Sequence, residues 1–140
     1  MRTVPMVGVA LALVAGLLVA ACGGGATVTK VRVAMDEWSL KPSVGAAGPG
    51  EVAFEAVNQG KVGHELIVLK TDLPPTGLKM RANEDRVDED ASGQVMGEVE
   101  DVEAGQSKAG KFDLPAGRYV VLCNVASHYK AGMVAAFEVR

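Results

Sequence analysis

The chain has 140 residues, enough for one domain with its own core and too few for a second once any targeting segment is set aside. Charged residues make up 22% of it and the formal net charge is -3 at pH 7, which argues against the basic face that a nucleic-acid partner calls for. Its hydrophobic fraction of 49% is inflated by the N-terminus, so that region is read separately.

In chain order, Arg2 precedes an apolar run from Val4 to Ala21 that contains no charge and a single proline, Pro5. A positive charge, an apolar stretch and then small residues follow the order of an export signal. Val19-Ala20-Ala21 directly before Cys22, with Gly23-Gly24-Gly25 after it, resembles a bacterial lipoprotein signal, in which Cys22 is lipidated and the chain is cut before it. The expected layout is a signal peptide over 1–21, a lipidated cysteine and Gly-rich tether over 22–27, and a domain over 28–140. An uncleaved membrane helix is the competing reading, since 18 apolar residues are barely enough to span a bilayer. Both readings place the domain outside the cytoplasm, in the periplasm or at the cell surface, on a membrane tether.

Beyond the signal segment no window offers a 3.6-residue apolar stripe, and the valine-rich stretches alternate with period two, so the domain reads as all-β. Val31, Val33 and Met35 mark a first strand. Val52, Phe54 and Ala56 mark a second, after the turn-forming Gly45-Ala46-Ala47-Gly48-Pro49-Gly50. His64 to Lys70 reads as a third, broken by Leu73-Pro74-Pro75 and followed to about Ser92 by a stretch too rich in proline and charge for a central strand. Gln94 to Val102, Ser107 to Leu114, Arg118 to Asn124 and Met133 to Val139 complete the set, with Pro115-Ala116-Gly117 as a turn and Cys123 on the face of Tyr119 and Val121. About seven short strands separated by turn signals predict a β-sandwich with a Greek-key connection. The segment from Glu84 to Glu103 holds nine carboxylates against Arg86 alone; it reads as a solvated face, with a docking patch for a basic partner as the sharper alternative.

The chain has two cysteines, and lipid on Cys22 leaves Cys123 without a disulfide partner. In an oxidising compartment a lone thiol is oxidised, paired between chains, or held by a metal. Its neighbours favour the metal: Cys123, His128 and Met133 follow one another at intervals of five residues. That spacing is too long for a zinc knuckle and too short for separate elements, but a tight loop between neighbouring strands turns all three toward one point. Thiolate, imidazole and thioether form a soft ligand set that favours copper over magnesium, calcium or manganese. The remaining histidine, His64, stands at the head of a strand whose Leu66 and Val68 face the core. Alone it reads as a structural residue; together with the other three it completes a His2Cys site with a weak axial thioether, the set of blue-copper electron transfer.

Asp113 to Val139 resembles the C-terminal part of the cupredoxin family, above all its azurin-, auracyanin- and sulfocyanin-like members. Leu114-Pro115-Ala116-Gly117-Arg118-Tyr119 is similar to the turn and tyrosine that lead into that family's ligand cysteine. Val57-Asn58-Gln59-Gly60 with Gly63-His64 is similar to the approach to its first ligand histidine. The resemblance spans roughly Val28 to Val139 and is generic over Thr71 to Ser92. It implies a Greek-key β-sandwich with one copper ion, held equatorially by His64, Cys123 and His128 and axially by Met133, and adds the Gly63 carbonyl as a further candidate ligand. Glu65 departs from the pattern, standing where many members have Asn or Ser bracing the cysteine loop.

The expected function is single-electron transfer through a mononuclear Cu(I)/Cu(II) site outside the cytoplasm, without enzymatic activity. The expected partners are the membrane, through the lipid, and a redox protein such as a cytochrome or a respiratory oxidase component. The partner is expected to meet the apolar rim of Val125, Ala126, Tyr129 and Ala131 beside His128. With both histidines committed, the chain lacks the ligands for the extra copper sites of copper oxidases, and it lacks the second cysteine of a binuclear centre. Copper carriage or storage uses the same ligands and is the alternative function. A metal-free structural lipoprotein would make the four-residue coincidence an accident.

Overall fold

The period-two valine pattern folds as two packed sheets in a computed structural model that describes residues 28–140. The signal segment, Cys22 and the tether lie outside the described residues. The first sheet has the order β2-β1-β4-β7, formed by β1 (Thr29–Asp36), β2 (Ser39–Pro42), β4 (Gly50–Asn58) and β7 (Ser107–Leu114). The second has the order β3-β9-β8-β5-β6, formed by β3 (Ala46–Ala47), β9 (Val134–Val139), β8 (Gly117–Leu122), β5 (His64–Lys70) and β6 (Gln94–Val102). β1 pairs parallel with β4 and β3 parallel with β9, while the other pairs are antiparallel. The chain crosses between sheets after β2, β3, β4, β6 and β7, which gives the Greek-key sandwich expected.

Inward-facing residues of both sheets meet in one core. Val31, Val33 and Met35 from β1 and Val52, Phe54 and Ala56 from β4 pack against Leu66, Val68, Tyr119 and Val121, and Phe54 meets Phe137 edge-on at 5.4 Å. Cys123 and Met133 are fully buried in the same cluster, so the end of the sandwich that carries them is an extension of the core.

Two differences from the sequence reading bear on the site. β8 stops at Leu122 and β9 starts at Val134, each one or two residues short of the expected limits. Cys123 N–H still reaches the Met133 carbonyl at 3.0 Å, but Met133 N–H turns to the carbonyl of His128 at 3.1 Å, which ends the ladder and closes the ligand loop. The second difference lies in Thr71 to Ser92, which is more than a polar connection. Its Leu73, Leu78, Met80 and Val87 cover the outer face of β5 and β8, against Ile67, Leu69, Val120 and Leu122. These strands are thus buried on both faces, which accounts for the unbroken apolar runs Leu66-Ile67-Val68-Leu69 and Val120-Val121-Leu122. The short edge strands β2 and β3 were not expected. β3 falls inside the stretch read as a turn, where two alanines give no alternation to read.

Candidate metal centre

His64 begins β5, Cys123 follows β8 by one residue, and His128 opens the short helix α2 (His128–Ala131) within the loop between β8 and β9. The three side chains meet at one end of the sandwich. His64 Nδ1 lies 3.2 Å from His128 Nδ1, and Cys123 Sγ lies 3.3 Å from His128 Nδ1 and 3.9 Å from His64 Nδ1. All three residues are buried. A triangle of this size suits donors that share one ion at bond lengths of about 2.0–2.3 Å. Two imidazoles and a thiol aimed at one point, with no carboxylate among them, form the nitrogen–sulfur set that copper favours.

Electrostatics leave these donors ready for a metal. Burial pushes the pKa of both imidazoles down, and the neighbouring His64 lowers that of His128 further, so both rings are neutral near pH 7 with a lone pair to offer. Burial pushes the Cys123 thiol up, opposed by N–H groups of Glu65 and Val125 directed at the sulfur. Metal binding therefore releases the thiol proton. The Glu65 N–H, 3.4 Å from Sγ, is available because the β5–β8 pairing ends at Ile67 and Leu122; on the other side of β5 the ladder with β6 slips beside His64. His64 pairs with Val102 and Leu66 with Val99, so β6 carries an extra residue, absorbed at Asp101 with φ of 52°. Glu65, the departure noted in the sequence, thus contacts the cysteine through its backbone, where no particular side chain is needed.

The ligand loop is fastened from outside by the segment that covers the sheet. Asn124 Oδ1 accepts from Val87 N–H at 2.6 Å, while its Nδ2 donates to the Val87 carbonyl at 3.1 Å and to Glu89 Oε1 at 2.5 Å. Ser127 N–H donates to the Asp85 carbonyl at 2.7 Å, and the Asp85 carboxylate takes Ser127 Oγ at 3.0 Å and pairs with Lys130. Tyr129 donates its hydroxyl hydrogen to the Pro75 carbonyl at 2.8 Å and accepts from Leu78 N–H at 3.2 Å. Asp85 and Glu89 belong to the acidic segment read as a solvated face; these two carboxylates serve the ligand loop. On the far side, the Trp38 ring meets the His128 ring edge-on at 4.9 Å, and Glu37 Oε1 lies 3.6 Å from His64 Nε2.

The structure brings His64, Cys123 and His128 together, and places Met133 fully buried in the core cluster that contains Cys123. Gly63 lines the shallow depression over His64 and His128, with Glu65 and Glu103. Of the expected apolar rim, Ala126 and Ala131 are exposed and Val125 is half-buried, whereas Tyr129 is engaged by the covering segment. Glu37, Trp38, Asn124 and Asp85 escaped the sequence reading. They lie 24 or more residues along the chain from the groups they hold, and the one local signal was a tryptophan at a polar turn.

The sulfocyanin (SoxE) domain family profile matches residues 40–140. Among solved structures, a dithionite-reduced auracyanin from the photosynthetic bacterium Roseiflexus castenholzii is 20% identical with a TM-score of 0.62, covering 83% of this chain and 99% of that one. Auracyanin A, a blue copper protein of the green thermophilic photosynthetic bacterium Chloroflexus aurantiacus, is 16% identical with a TM-score of 0.57, covering 81% and 100%. Reduced rusticyanin is 15% identical with a TM-score of 0.50, covering 81% of each chain. At such identities the likeness carries the fold. No curated protein matches the sequence.

Proposed function

The chain belongs to the sulfocyanin (SoxE) domain family, a cupredoxin family whose cofactor is one copper ion, and from that premise we propose that it carries single electrons outside the cytoplasm. In this reading His64, Cys123, His128 and Met133 would hold the ion, with the Gly63 carbonyl as a further candidate. When bound, copper supplies the one-electron Cu(II)/Cu(I) couple. The protein's part is to keep the donors from moving between the two states. Cu(I) prefers soft, low-coordinate sites and Cu(II) harder, tetragonal ones, so a fixed compromise geometry lowers the reorganisation needed on transfer.

The observation that carries this reading is the preformed, buried triangle of two Nδ1 atoms and one Sγ, its loop fastened to the covering segment by hydrogen bonds. A copper carrier, the alternative function, is better served by exposed ligands on a mobile segment. Electron exchange is expected through the His128 end, where Trp38 and Val62 are exposed at 48% and 41% and join Ala126 and Ala131 as an apolar contact surface for a redox partner. The export signal before Cys22 supports the extracytoplasmic location and the membrane tether.

The copper-loaded protein is expected to show an intense visible thiolate-to-copper charge-transfer band, because Cys123 is the one free thiol among the described residues. Cys123→Ser should abolish it. A band that survives the substitution rejects the ligand assignment.

A further inference from the structure

We infer that Glu37 is a positioning residue for the metal centre: its carboxylate takes the Nε2 hydrogen of His64, fixing the ring with Nδ1 turned to the metal and placing a negative charge behind that ligand. The inference rests on the copper ligand reading above and extends it to a residue outside the ligand set.

The need for such a group follows from the ring itself. His64 Nδ1 faces His128 Nδ1 and Cys123 Sγ, so in a neutral ring that offers this lone pair the proton sits on Nε2. That atom is buried and, among the described residues, is the buried side-chain polar atom without a hydrogen-bond partner. A buried N–H left unpaired loses its hydration with nothing in exchange, so the site favours an acceptor there. Glu37 Oε1 stands 3.6 Å away, beyond a hydrogen bond, and a displacement of about half an ångström closes the gap.

The carboxylate is seated, not passing by. The same Oε1 accepts from Lys61 N–H at 2.7 Å and Val62 N–H at 3.0 Å, both in the loop that leads into His64. Gly60 makes the seat possible, since a Cβ there would lie 2.2 Å from that oxygen. The loop is stiff in turn. Asn58 Nδ2 donates to the carbonyls of Val62 and Val102, each at 2.8 Å, and Gln59 N–H donates to the Met35 carbonyl at 2.8 Å, joining the loop to the end of β1, which Glu37 directly follows. On the other side of the Glu37 backbone, Ser39 Oγ donates to Asp36 Oδ1 at 2.5 Å. The result is a carboxylate–histidine–metal relay built across two segments of the fold.

Three variants separate this role from simple capping of the loop. Glu37→Gln keeps an oxygen that can accept from Lys61 and Val62 but removes the charge; Glu37→Ala removes both; Gly60→Ala displaces an unchanged carboxylate. The negative charge favours Cu(II) over Cu(I), so Glu37→Gln should weaken Cu(II) about tenfold relative to Cu(I), raising the potential by about 59 mV. Glu37→Ala and Gly60→Ala should raise it at least as far. In the metal-free protein, nitrogen NMR should find the His64 proton on Nε2 and protected from exchange, with that protection lost in Glu37→Ala. A potential unchanged in Glu37→Gln with copper bound, or a parent ring protonated on Nδ1, overturns the inference. A parent that binds no copper instead rejects the ligand reading, and the metal-free NMR still decides where the His64 proton lies.

Discussion

At the scale of single residues, the centre depends on which atom each side chain offers and what surrounds it. Cys123 and Met133 sit in the same dry cluster, and only the cysteine exchanges a proton for metal. A thioether gives a long, weak axial bond, so Met133 is expected to tune the potential while the equatorial donors supply most of the affinity. Met133→Leu conserves volume at a fully buried position and should cost less than about 1.5 kcal/mol in stability. Without the axial donor, Cu(I) is favoured and the potential rises. Met133→Gln offers a harder oxygen, favours Cu(II) and lowers it, with each tenfold change in relative affinity reading as about 59 mV. Redox titration of the parent and both variants decides the point. Equal potentials with copper bound would make Met133 a core residue only.

At the scale of elements, the loop between β8 and β9 is short but not free. Asn124, Ser127, Tyr129 and Lys130 each hold the covering segment, and Gly132, with φ of 115°, turns the chain back into β9. Consequently the loop presents only its small residues outward: Ala126 and Ala131 are exposed on either side of His128, which is itself 7% exposed. If a partner docks there, a charge on that rim should slow electron exchange without disturbing the ligands. Ala126→Asp is expected to leave the copper spectrum intact and to lower the second-order rate with a redox partner by about tenfold or more, since a desolvated unpaired charge costs at least about 1.4 kcal/mol. Stopped-flow rates test this. Unchanged rates would move the docking face elsewhere, and a steep dependence on ionic strength would point to the exposed acidic residues of β6.

At the scale of the whole molecule, the two sheets bury the ligands at one end. The described domain begins at Val28, six residues after Cys22. A lipidated Cys22 would hold the domain at a membrane surface, and more than one acyl chain makes such an anchor stable. Expression with the native N-terminus should place the protein in the membrane fraction, and Cys22→Ala should release it from lipid attachment while leaving the copper band unchanged. Mass spectrometry of the mature N-terminus checks both. A chain that still begins at Met1 without lipid would instead indicate an uncleaved apolar helix.

The residues of the candidate site were legible because soft donors are rare: two histidines and one cysteine outside the signal leave little choice, and the spacing of Cys123, His128 and Met133 fits a tight loop. Strands β1, β4, β6 and β7 were legible for a similar reason, since a strand half in the core writes its period into its own sequence. Residues that act on a distant part of the chain leave no such mark. The carboxylate of Glu37 reads as one more surface charge until β1 pairs with β4 and carries it to the loop before His64. Asn124 reads as a strand residue until the segment around Val87 folds over the second sheet. The sequence by itself determined which side chains offer soft donors, because that is fixed by side-chain chemistry. Tertiary structure decided what holds those atoms still, because orientation depends on hydrogen bonds between segments whose meeting is set by strand pairing and by the burial of the outer sheet face.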